Sequence, residues 1–272
     1  MTDLPPPLPH TAKEQAQAAP KWPASRLLRW IFGLQLVFAA VLLGSDMLRV
    51  LPQLAFPSSA PDITQPLGPG DQTRRYDPAQ IDPRPARPGS RPIPTTTDMP
   101  SRLEFVDAVW DGQPVITLTG QIAPGDAARF ADFLTTVDPA PTQAFLNSPG
   151  GSVQDALAMG RQIRNLGIGA RMTATDICLS ACPYLLAAGT TRTVEDGALV
   201  GVHQHYFGEN TALPAFMAVE DIQRGQGEVM DYLADMDIDP LIMRHALVTP
   251  PDEIYLLTPD EMQSYRLTTT SD

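Results

Sequence analysis

The sequence predicts an α/β domain with a largely parallel sheet, carried behind a single apolar helix. Three features point there. From residue 101 onward, short strand-like runs alternate with segments of helical apolar spacing. Of the 29 prolines, 18 lie before residue 101, leaving the rest of the chain freer to fold compactly. One continuous apolar run stands near the N-terminus.

Residues 1–26 are rich in Pro, Ala and polar groups, so a disordered tail is expected there. The apolar run starts late and lacks a small-residue cleavage site, which argues against a signal peptide. Residues Leu27 to Gly44 read LLRWIFGLQLVFAAVLLG, near the lower length limit for a spanning helix. With its flank to residue 50 this is the expected membrane anchor. Arg29 can snorkel and Trp30 suits the interface. A buried core helix is the other reading, but flanks of this composition offer it nothing to pack against. Lys13, Lys21, Arg26 and Arg29 lie at or before its start and Asp46 follows it. The positive-inside rule then puts the N-terminus in the cytoplasm and the remainder outside, as a single-pass inner-membrane protein with a periplasmic domain. Arg49 weakens that asymmetry without reversing it. Residues 51–100, with proline every few positions, read as an extended linker.

Within 101–272, LEFVDAVW and VITLTG read as strands around an Asp111-Gly112 turn. DAARFADFLTTV has helical spacing, and QAFLN is a short strand stopped by Ser148-Pro149-Gly150-Gly151. SVQDALAMGRQIRNLG is a helix with Ser152 as N-cap and Gly167 past its end. IGARMTAT is a strand, and Ser180 to Ala188 a small, apolar, buried helix. TRTVEDGALVGVHQH reads as a turn and a strand. Helices follow from about Leu213 to Met236 and from Pro240 to Ala246. EIYLLT is the last strand, and PDEMQSYRL opens the last helix.

The formal net charge is -12, and residues 101–272 carry 23 Asp/Glu against 9 Arg and no Lys. Such a surface repels nucleic acid and anionic headgroups, so no nucleic-acid partner is expected. Cys178 and Cys182 are too few for a disulfide scaffold, and C-x-x-x-C lacks the second half of a zinc site. His10, His203, His205 and His245 stand at no recognisable ligand spacing, so no metal and no cofactor are expected.

Three segments can carry chemistry. Asn147-Ser148-Pro149-Gly150-Gly151 joins a strand to a helix by a turn whose amides can face a ligand, although Pro-Gly-Gly is often only a tight turn. Ser180 opens an apolar helix, a position for a nucleophile and equally for an ordinary N-cap. His203 ends an apolar strand 23 residues later, placed for a general base or for a satisfied half-buried histidine. His205 and His245 read as structural, with His205 able to line the same cleft.

Together these segments resemble the Clp peptidase (ClpP-like) branch of the crotonase-fold superfamily. That family has a Ser-Pro-Gly-Gly turn, a serine opening a small helix that ends in Ala-Gly, and an Ile-His-Gln-Pro segment. Here Ser180 runs to Ala188-Gly189, and Val202-His203-Gln204-His205 matches the last segment. The resemblance begins at Ile116-Thr117-Leu118-Thr119-Gly120-Gln121-Ile122 and ends at Tyr255-Leu256-Leu257-Thr258-Pro259-Asp260-Glu261, similar to the family's Phe-Leu-Ser-Ala-Pro-Glu-Ala. It covers residues 101–272 and implies a fold of repeated ββα units. It implies a serine peptidase with Ser180 as nucleophile and His203 as base. The oxyanion amides would be those of Gly151 and Ala181, with Gly150 shaping the turn. Register from Tyr255 implies Glu253 as the third residue, with Asp252, of the family's residue type, beside it; both also read as solvated loop charges. The serine-to-histidine spacing is about two residues shorter than the family's. The only lysines, Lys13 and Lys21, precede the anchor, which excludes a Ser-Lys pair within this chain.

The implied substrate is a peptide or an unfolded protein segment. No ATP-driven unfoldase is expected outside the cytoplasm, and the tether favours a homo-oligomer smaller than the family's rings. A catalytically inactive scaffold of the same fold is the alternative. An acyl-CoA enzyme of the wider class would need a basic nucleotide pocket, which an acidic domain does not offer. The cysteines flanking the serine are not a Clp feature. In an oxidising compartment they can bond, although i,i+4 geometry on an unbroken helix would strain the link; two buried thiols are the other reading.

Overall fold

The computed structural model describes residues 24–55, 60–65, 67, 68, 70–94, 96, 98–205 and 215–269. Most of the tail expected over 1–26, and residues 213 and 214 of the helix expected from Leu213, lie outside them. The chain divides after Ser59 into two units.

The first unit holds helix α1, Ala24–Ala55. Its stretch Ser25–Ser45 is long and apolar enough to cross a membrane, with a mean hydropathy of 2.0. Leu28, Trp30, Leu34, Phe38 and Leu43 are all exposed. They do not share one stripe, so α1 is apolar all round, the pattern of a helix whose surroundings are apolar on every side.

The second unit is a mixed α/β domain of two sheets. Its elements in order are β1 (Thr73–Arg75), β2 (Glu104–Trp110), β3 (Gln113–Thr119), α2 (Asp126–Leu134), β4 (Gln143–Asn147), α3 (Val153–Asn165), β5 (Gly169–Met172), β6 (Ile177–Leu179), α4 (Cys182–Ala188), β7 (Arg192–Val194), β8 (Leu199–Val202), α5 (Ala215–Asp235), α6 (Met243–Val248), β9 (Glu253–Leu256) and α7 (Pro259–Ser264). One sheet has the order β2-β3-β4-β5-β7, parallel except for the β2–β3 hairpin. Asp111 and Gly112 both have positive φ, the backbone that a tight two-residue hairpin turn needs. The other sheet has the order β1-β9-β8-β6 and is mixed: only β6–β8 is parallel. The sheets meet at Ser148, whose N–H donates to Ile177 O (2.8 Å) and whose carbonyl accepts from Leu179 N–H (3.0 Å). The largely parallel single sheet expected from the sequence is therefore two sheets, joined where β4 ends.

The main core lies under α2, α3 and α4. Ile116, Leu118, Leu146, Phe130, Leu157 and Ile163 are within it. Helix α3 forms where its apolar residues repeat on one face, with Ala156, Leu157, Met159 and Ile163 buried. The Ser152 side chain caps it by accepting Asp155 N–H at 3.3 Å. Helix α4 is buried at every residue.

Residues 51–100 were expected to be an extended linker. From residue 60 the described part of this segment instead belongs to the domain. Strand β1 pairs antiparallel with β9, Arg74 opposite Ile254. Ile81 joins a second, smaller core with Ile177, Leu179, Ile254 and Leu256. The Arg84 guanidinium donates to the carbonyls of Thr175 (3.1 Å), Asp176 (2.9 Å) and Gly197 (2.9 Å). Arg91 pairs with buried Asp176 at 3.1 Å. The physical reason is that proline density fixes an extended backbone without saying what it lies on. A few spaced anchors hold such a segment against a sheet with little further loss of chain entropy.

Candidate functional site

Ser180 sits between β6 and α4, one residue earlier than a helix cap. Its φ is 60°, in the left-handed region that a residue with a β-carbon seldom occupies. The N-cap is Ala181, and Cys182-Pro183 opens the helix. The helix-opening serine of the sequence reading is thus corrected to a strand–turn–helix elbow, with the serine at its sharpest point. The turn is held on both sides. Ser180 N–H donates to Gly201 O (2.9 Å), and Cys178, at the centre of β6, is disulfide-bonded to Cys182. The two Cα atoms are 5.0 Å apart, within the ordinary range for a disulfide. The strain expected for i,i+4 on one helix does not arise, because the cysteines belong to different elements.

His203 follows the last residue of β8. Parallel pairing of β8 with β6 sets Gly201 opposite Leu179, so the two chain ends emerge side by side. His203 Nε2 lies 2.7 Å from Ser180 Oγ. If the serine hydroxyl donates, Nε2 is the bare nitrogen and Nδ1 carries the proton. The imidazole is only 6% exposed. Burial, and to a lesser extent neighbouring His205, lower its pKa from 6.5 to about 4, so the ring is neutral at neutral pH. His205 lies on the cleft wall, is also lowered to about 4 by burial, and hydrogen-bonds through Nε2 to the Tyr184 hydroxyl.

The glycine turn closes the third side. Ile122 N–H donates to Gly150 O (2.8 Å), and Ser152 N–H donates to Ile122 O (2.8 Å). In a trans peptide the N–H opposes the C=O, so the Gly151 amide points away from Ile122. Among the described residues, the amides of Gly151 and Ala181 have no hydrogen-bond partner. Gly150, at φ 101°, packs against the Ser180 turn: a β-carbon there would lie 2.5 Å from Ser180 Cβ and 2.9 Å from Ala181 N. Ser180, His203, His205 and Gly151 border a cleft of about 820 Å³, whose walls also include Ile122, Tyr76 and Pro251.

The third position differs from the expectation. His203 Nδ1 is buried, and among the described residues no atom bonds to it. Asp252 is on the cleft wall, but its side chain is exposed, and its backbone carbonyl accepts Tyr76 N–H at 3.0 Å. Glu253 is drawn into β9 opposite Arg75. Neither carboxylate hydrogen-bonds the imidazole.

Sequence reasoning missed Tyr76. Its ring centroid lies 4.7 Å from that of His203, with the planes tilted by 52°. Its hydroxyl donates to Pro149 O at 2.6 Å. The one available signal was an aromatic residue standing alone in a proline-rich stretch. Ser180, His203, Gly150, Gly151 and Ala181 are thus brought together, and Asp252 and Glu253 stand apart from the imidazole. No family model matches this chain, and neither does any curated protein.

Proposed function

We propose that this chain is a membrane-tethered, extracytoplasmic serine hydrolase acting on peptide bonds, with a ClpP/crotonase-like fold and an ATP-independent Ser180–His203 pair. The observation that carries the reading is the 2.7 Å contact between Ser180 Oγ and a neutral, buried His203 Nε2 beside two unengaged amides. In this reading His203 takes the hydroxyl proton as Ser180 Oγ attacks the carbonyl carbon. The carbonyl oxygen, gaining charge, is met by the amides of Gly151 and Ala181. His203 then protonates the leaving amine, and water resolves the acyl-enzyme by the reverse path. The apolar helix is the anchor, with the N-terminus cytoplasmic and the domain periplasmic. A cleft open to solvent and an acidic surface favour short peptides or loose chain segments.

A second reading is supported by one observation: among the described residues, the Nδ1 of His203 has no partner. Without an anion there, the imidazolium formed during attack is unsupported, a loss worth up to about 10⁴ in rate in serine hydrolases that normally have one. The fold would then serve as an inactive scaffold at the membrane. A fluorophosphonate probe separates the two. Labelling of the full chain that disappears in Ser180→Ala and falls steeply in His203→Ala supports the hydrolase. An unlabelled wild type, folded by circular dichroism, supports the scaffold.

A further inference from the structure

We propose that Tyr76, supplied by the proline-rich stretch that opens the domain, is a positioning residue of the Ser180–His203 site. The assignment rests on the hydrolase reading and goes beyond it, because it makes that stretch part of the active site. Two contacts of this one side chain, and one orphaned atom beside it, carry the assignment. The ring lies against the His203 ring at 4.7 Å between centroids. The hydroxyl donates to Pro149 O at 2.6 Å. The imidazole it covers has a buried Nδ1 with no partner among the described residues.

Each contact does a separate job. Among the described residues nothing bonds to Nδ1, so beyond the Nε2 contact with Ser180 Oγ the imidazole is held by packing, and the Tyr76 ring is the aromatic surface against it. Pro149 O is the carbonyl of the peptide that leads into Gly150. Gly150 N–H is held by Ser148 Oγ at 3.1 Å on the other edge of the same peptide. Fixing both edges sets the plane from which the Gly151 amide is presented. Tyr76 itself is held by its own backbone: strand β1 ends at Arg75 on β9, Tyr76 N–H donates to Asp252 O (3.0 Å), and Asp77 caps the turn that follows by accepting Ala79 N–H (3.0 Å). Burial pushes the phenol up to about 12, so the hydroxyl remains a donor across the working range of pH.

The titratable groups that face the imidazole are Tyr76 from the segment, His205 from its own strand end and Asp252 on the cleft wall. Burial is the larger cause of the low His203 pKa. Removing the ring that covers it lets water in and raises that pKa toward 6.5. A residue that merely stabilised the fold would not move it.

The test is the rate of fluorophosphonate labelling of the full chain between pH 4 and 9, with Ser180→Ala as the blank and a thermal melt for each variant. Tyr76→Phe keeps the ring and loses the hydroxyl, so labelling slows about tenfold, the worth of one hydrogen bond, with the pH midpoint unchanged. Tyr76→Leu fills the space without an aromatic face, so labelling slows roughly 100-fold, as misplacement of a reacting group does. Its pH midpoint moves up from about 4. Labelling that depends on Ser180 but runs at the wild-type rate and midpoint in both variants overturns the assignment of Tyr76 and leaves the hydrolase reading standing. A wild type without Ser180-dependent labelling overturns both. Tyr76→Phe removes a single oxygen from a half-buried ring, so a folded variant is available even if the Leu substitution melts.

Discussion

The Ser180 hydroxyl and the His203 imidazole are in contact at 2.7 Å, and in the proposed hydrolase their protonation decides when the pair works. His203 and His205 are both held near 4 by burial and would titrate near 6.5 in the unfolded chain. Between those values the unfolded chain binds more protons than the folded one. Stability is therefore intact above about pH 6.5 and declines as pH falls toward 4. The urea midpoint should be lower at pH 5 than at pH 7.5, and the drop should shrink in His203→Gln. Gly150 is the second sensitive residue. Its φ of 101° and its contacts with the Leu179 carbonyl and Ser180 Cβ leave no room for a side chain. Gly150→Ala should cost more than about 1 kcal/mol by urea denaturation and abolish Ser180 labelling, because the added methyl displaces the nucleophile turn. Both residues were legible in the sequence, since a histidine at a strand end and a double glycine before a helix carry local signatures. That neither Glu253 nor Asp252 bonds to Nδ1 was not legible, because register from Tyr255 gives a position along the chain and no direction for a side chain.

At the scale of the element, the elbow and the strap determine how firmly the site is held. The disulfide joins β6 to α4 across Ser180. Its loop is short, so the chain-entropy account gives it about 2 kcal/mol. Replacing both cysteines by alanine should lower stability by that order in a urea titration and slow the labelling of Ser180. The strap from residue 60 to the start of β2 is held by the β1–β9 pairing, by Ile81 and by two arginines. Arg91→Ala leaves Asp176, 1% exposed, without its ion pair. Stranding a buried charge costs about 3 kcal/mol. That loss should appear as a lower urea midpoint, and Ser180 labelling should weaken with it if the strap carries Tyr76 into the site. Strands β2, β3, β4 and β9 and helices α2 and α3 were readable from periodicity, caps and the Asp-Gly turn. The three-residue strand β1 was not, because Thr73–Arg75 is polar and becomes a strand only by pairing with β9.

For the whole molecule, an apolar helix precedes an acidic α/β domain. The proposed topology predicts that an alkaline phosphatase fusion after residue 59 is active, and that one before α1 is inactive. The protein should remain in the membrane after carbonate extraction, and deletion of Ser25–Ser45 should release it. The excess of 23 Asp/Glu over 9 Arg in residues 101–272 predicts weak binding of the released domain to anionic vesicles.

The sequence by itself determined the apolar helix, the alternation of strands and helices, and the identities of Ser180, His203, Gly150 and Gly151. Those are properties of composition, period and local turn chemistry, which nearby residues fix. Only the tertiary structure decided that the proline-rich segment is a strap bearing Tyr76, that the serine sits on a bend before its helix, and that no carboxylate among the described residues bonds to His203 Nδ1. Each of those depends on which strands lie side by side. That pairing brings together residues far apart along the chain, and local patterning carries no record of it.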